Sequence, residues 1–73
     1  MSAYGVALFH NTSEVMRAEK VLKKGGVTVK LIPTPREFSS DCGMAVRFDV
    51  QKTDVVRVLL EQARVEVAGI HTI

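Results

Sequence analysis

The chain holds one cysteine, Cys42, in the segment whose residue types least resemble core or plain surface: Pro33-Thr34-Pro35-Arg36-Glu37-Phe38-Ser39-Ser40-Asp41-Cys42-Gly43. Pro33 and Pro35 fix their own φ, give no N–H to a sheet, and push Ile32 and Thr34 toward extended geometry. A strand is therefore expected to end near Ile32. From Pro33 to Gly43 there are 11 residues, against about 2 to 5 in the usual hairpin loop, and long loops in small domains often carry function. Ser39, Ser40 and Asp41 form turns, and Gly43 admits a backbone conformation closed to other residues. Cys42 is thus expected on a bend rather than inside a strand. A thiolate displayed there is a nucleophile open to a persulfide-type adduct, which a partner can then attack. Positive charge and a helix N-terminus favour the thiolate. Arg36 and the start of the first helix are candidates to supply both, while Asp41 acts in the opposite direction.

The same residues admit other readings. Unpaired cysteines are among the most buried residue types, so Cys42 also fits as a small apolar side chain tucked under the loop. Arg36, with the backbone N–H groups of Ser39 and Ser40, has the makings of an anion clamp, or it pairs with Glu37 or Asp41. His10 stands at a strand end where a proton donor or base would help, and equally where a histidine only caps or meets water. The candidate site is therefore Cys42 with Arg36, Ser39, Ser40, Asp41, Gly43, Pro33, Pro35 and His10.

Pro33-Thr34-Pro35-Arg36, then Ser39-Ser40-Asp41-Cys42-Gly43, preceded by Ala18-Glu19-Lys20-Val21-Leu22-Lys23-Lys24-Gly25-Gly26-Val27, resembles a family of small bacterial proteins described as selenium/sulfur carrier-like. The resemblance covers most of the chain. It implies a carrier or delivery module, not an enzyme, that uses Cys42 to hold selenium or sulfur between donor and acceptor proteins. The residues themselves leave open a second class: a small-molecule or protein-binding module in which Arg36 and the Ser39-Ser40 loop bind an anion and Cys42 is structural.

Several classes are excluded or disfavoured by the totals. Seventy-three residues, 47% apolar and 25% charged, are expected to fold as one domain spanning 1–73, with about 60% of the open chain's surface buried. One cysteine makes no internal disulfide and no Cys-x-x-Cys pair, so neither a metal nor a cofactor is expected and a reducing, cytoplasmic setting fits best. A soft-metal chaperone would want two thiolates. The N-terminus lacks a basic segment and no stretch is long enough to cross a bilayer, so no membrane partner is expected. A net charge of +2 is too small to argue for nucleic acid, and no basic-aromatic signature accompanies Tyr4, Phe9, Phe38 and Phe48.

The elements that must position the loop follow from periodicity. Tyr4 to Phe9 is an apolar β-forming run, expected as a buried central strand. Asn11 with Glu14 fits a capping box. It opens a helix with Val15, Ala18, Val21 and Leu22 on one face, stopped by Gly25-Gly26. Residues 27 to 32 alternate as a second strand and 44 to 50 as a third. Thr53 is expected to cap a second helix carrying Val56, Leu59, Leu60 and Ala63. Val65 to Ile73 is extended in character, with Gly69 marking a bulge or close approach. The order βαββαβ predicts an α+β, ferredoxin-like sandwich: a four-stranded antiparallel sheet in the order 4-1-3-2 with two helices on one face. Its expected core is Val6, Leu8, Val15, Val21, Leu22, Val29, Leu31, Val46, Phe48, Leu59 and Leu60. The topology puts His10, Asn11, Arg36, Cys42 and Arg64 at one end of the sheet. The other sheet face, with Ile32, Ala45 and Ala68 among Thr28, Lys30, Arg47, Asp49 and Glu66, is left to water or to a second subunit in a homodimer.

Overall fold

A computed structural model describes residues 4–38 and 43–73. Its elements are β1 (Tyr4–Leu8), α1 (Thr12–Lys24), β2 (Val29–Pro33), β3 (Met44–Asp49), a 3₁₀ turn (Val50–Lys52) running into α2 (Thr53–Gln62), and β4 (Gly69–Thr72). The sheet order is β2-β3-β1-β4 with every neighbouring pair antiparallel. Counted from the other edge this is 4-1-3-2, the expected order, and the fold is the expected ferredoxin-like α+β arrangement.

Strand alternation divides the apolar residues between two faces. Ala7, Phe9, Val46 and Phe48 pack with Val15, Ala18 and Leu22 of α1 and Val56 and Leu60 of α2 in the main core. Half-buried Val21, Val29, Leu31 and Leu59 border this cluster. Val6 and Leu8 belong to a separate cluster with Ala45 on the opposite face, and that face is not open as expected. Half-buried Phe38, Ile32 and Ile73 pack over it, leaving Val6 and Ala45 with no exposure. Part of the apolar surface expected to be available to a second subunit is therefore covered by the chain's own Phe38 and Ile73.

Both helices end in a Schellman motif, in which two N–H groups beyond the helix turn back to its last orphan carbonyls. After α1, the Gly26 N–H donates to the Lys23 carbonyl at 3.1 Å and the Val27 N–H to the Leu22 carbonyl at 2.9 Å. Gly26 takes the required left-handed backbone, φ 86°. After α2, the Arg64 N–H donates to the Glu61 carbonyl at 3.1 Å and the Val65 N–H to the Leu60 carbonyl at 2.9 Å. Here the left-handed position is an arginine, φ 57°. This closure also corrects the expected start of the last strand: Val65 is spent on the helix end, so pairing begins only at Gly69. In the same way Val27 closes α1 and β2 begins at Val29.

The left-handed backbone costs a residue with a Cβ about 1–2 kcal/mol, and glycine's extra chain entropy costs about 0.5–1 kcal/mol. The first outweighs the second, so Arg64→Gly is expected to stabilise the fold by about 0.5–1 kcal/mol. This is a rise of a few degrees in Tm at this size, and an unchanged or lower Tm in a thermal melt would contradict it.

Other boundaries also differ from the expectations. β2 runs on to Pro33, which pairs with Met44; β2 is an edge strand, where a missing N–H is tolerated. Asn11 caps α1 as expected, its Oδ1 accepting from the Glu14 N–H at 3.0 Å, but the Glu14 carboxylate does not complete a capping box. Its Oε2 accepts from the Glu66 N–H at 3.2 Å. Its Oε1 faces Arg17 Nη1 at 3.7 Å, and Arg17 Nη2 donates to the Ala63 carbonyl at 2.9 Å. The first turns of α1 thereby hold the connection from α2 to β4. Thr53 does not cap α2 by accepting: its hydroxyl donates to the Val50 carbonyl at 2.6 Å, and Asp49 Oδ1 accepts from the Gln51 N–H at 2.9 Å at the start of the 3₁₀ turn.

Candidate functional site

The base of the β2–β3 loop is closed one step beyond the Pro33–Met44 pair, where the Thr34 N–H donates to the Gly43 carbonyl at 3.0 Å. Above it, the Phe38 N–H donates to the Pro35 carbonyl at 3.0 Å. This four-residue turn puts Arg36 and Glu37 at its exposed central positions. Arg36 is exposed and forms no ion pair with Glu37 or any other described residue. Phe38 then leaves the turn toward the sheet face away from the helices. Its ring stacks on His71 of β4, with centroids 4.3 Å apart and planes inclined by 11°.

Phe38 therefore works as an anchor. It joins the loop to a central patch of Val6, Leu8 and Ala45, and its burial there offsets the entropy of ordering the turn. Neither Phe38 nor His71 stood among the candidate residues. The alternation of β4 is enough to place His71 opposite the helices, but no sequence signal ties a loop phenylalanine to it.

Ser39, Ser40, Asp41 and Cys42 lie outside the described residues. Pro33 and Pro35 hold the rising arm of the loop, Pro33 within β2 and Pro35 as acceptor of the turn bond. Gly43 is exposed, and a Cβ built on it meets nothing within 4 Å. His10 is exposed, just past β1 and before the Asn11 cap. The joined ends of α1 and α2, expected from the topology, are realised through Glu14, Arg17, Ala63 and Glu66 rather than through His10. Phe38 of the loop packs on the opposite face of the sheet. Among the described residues there is no group of three His, Cys, Asp or Glu side chains able to hold a metal, and no helix is long and apolar enough to cross a membrane.

The architecture is that of a small ferredoxin-like α+β module with a Pro-bounded loop tied at its base and pinned by Phe38. A family model described as "Putative Se/S carrier protein-like" matches residues 4–72, and the chain belongs to that family. No curated protein and no solved structure gives a significant match.

Proposed function

We propose that the protein carries sulfur or selenium on Cys42, the sole cysteine of a chain matched by the Se/S carrier-like family over nearly its whole length. That membership is the observation on which the reading rests. The Cys42 thiolate attacks the outer atom of a donor persulfide, R–S–SH. One S–S bond forms at Cys42, the donor's S–S bond breaks, and R–S⁻ leaves, so the sulfane sulfur moves without net oxidation. With R–S–SeH the same displacement leaves selenium on Cys42. An acceptor thiolate repeats the step and regenerates the Cys42 thiolate. Donor and acceptor proteins are the partners, and the reducing cytoplasm is the setting in which a lone thiol stays available. Arg36, exposed and unpaired among the described residues, assists by favouring the thiolate. Pro33, Pro35 and Gly43 shape the loop that also contains Ser39, Ser40 and Asp41, and His10 is the candidate proton donor.

Iodoacetamide kinetics test the availability of the thiol. Cys42 is expected to alkylate in the folded protein far faster than global unfolding allows, with Arg36→Ala slowing the reaction and Asp41→Asn leaving it equal or faster. Labelling that appears only on denaturation would end the proposal.

A further inference from the structure

On the sheet face away from the helices, about 10 Å along the hairpin from its closed end at Pro33, Lys30 stands directly opposite Arg47, and Arg47 directly opposite Val6. Like charges in register across two strands destabilise a sheet, yet neither cation forms an ion pair with a described residue. Arg47 is also held in place: its guanidinium carbon lies 4.2 Å from the centroid of the Tyr4 ring, a cation–π contact that fixes the fork over the central strands. Tyr4, Thr28, Lys30, Arg47 and Asp49 line a cavity of about 430 Å³, within the range of small-ligand sites.

We propose that this trough binds a phosphate-type oxyanion, free or as the monoester of a small organic group. Arg47 supplies a preorganised two-pronged donor, Lys30 a point charge beside it, and Thr28 a hydroxyl on the same wall. An anion seated between the cations would relieve the repulsion between them. Asp49, the one carboxylate among the lining residues, is engaged with the Gln51 N–H. Its charge opposes an anion at the Tyr4 end and directs it toward Lys30 and Arg47. The site uses none of the carrier loop's residues and stands or falls apart from Cys42.

The test is a backbone-amide NMR titration of the full chain with inorganic phosphate and, separately, with AMP, ionic strength being held constant with sodium chloride. Saturable shifts centred on Lys30, Arg47 and Val6 are expected. Arg47→Ala should weaken binding at least tenfold, as loss of a charge-assisted donor pair implies. Arg47→Gln, which keeps much of the stem, should weaken it similarly while preserving the wild-type spectrum elsewhere, and Asp49→Asn should tighten it severalfold. Tighter binding of AMP than of phosphate would assign the monoester, and equal binding the free ion. Shifts that do not saturate, or that survive unchanged in both Arg47 variants, would overturn the site.

Discussion

Phe48→Ala is expected to destabilise the protein by about 3–5 kcal/mol. The ring is 1% exposed and lies in the main core between β1, β2 and the helices. At about 0.05–0.15 kcal/mol per residue, 73 residues carry a total stability of about 4–11 kcal/mol. The truncation therefore removes a large part of it, and at the lower end unfolds the chain at room temperature. Urea denaturation followed by circular dichroism measures this directly. A midpoint within error of the wild type would mean that Phe48 does not fill the core as described.

The second large effect belongs to the residue beneath that ring. Gly5 pairs with Phe48 across β1 and β3, and a Cβ added to Gly5 would lie 2.5 Å from Phe48 Cε2 and 2.7 Å from Cζ. A rigid, fully packed ring cannot yield by rotating a terminal methyl, so Gly5→Ala should cost about 1–3 kcal/mol through overpacking, despite removing a strand glycine. Gly25 is the control. Its added Cβ would come equally close, 2.5 Å, to Leu59 Cδ1, but that is the mobile end of a half-buried side chain, so Gly25→Ala should cost less than Gly5→Ala. Combining Gly5→Ala with Phe48→Leu should recover part of the loss, and strict additivity of the two changes in denaturation would contradict the contact.

Much of the architecture was legible because periodicity and breakers agreed. The alternation of Val46 and Phe48, the helical faces of α1 and α2, the Asn11 cap and the Gly25-Gly26 stop each had a local cause, and together they left the ferredoxin-like order as the simplest right-handed arrangement. What escaped was set by contacts distant in sequence. Val65 has the composition of a strand but is used to close α2, a role announced for α1 by glycine and disguised in α2 by Arg64. Glu14 has the spacing of a capping box, but its carboxylate goes to the Glu66 N–H, 52 residues away. The loop was recognised from its prolines, while Phe38 was not recognised as its anchor, because its partners Val6, Leu8, Ala45 and His71 come from three different strands. Gly5 passed as a small member of an apolar run, its purpose appearing only when Phe48 lies across it. The family was readable from the residues on either side of the thiol, since these are short contiguous runs that need no tertiary contact to be seen.

Intact mass spectrometry of the folded protein after exposure to a persulfide donor tests the carrier role most directly. The wild type is expected to gain the mass of one sulfur atom, to lose it on addition of an acceptor thiol, and to do so without unfolding, while Cys42→Ser gains none. A wild-type protein that acquires no adduct while folded, or a Cys42→Ser variant that acquires the same one, would contradict it.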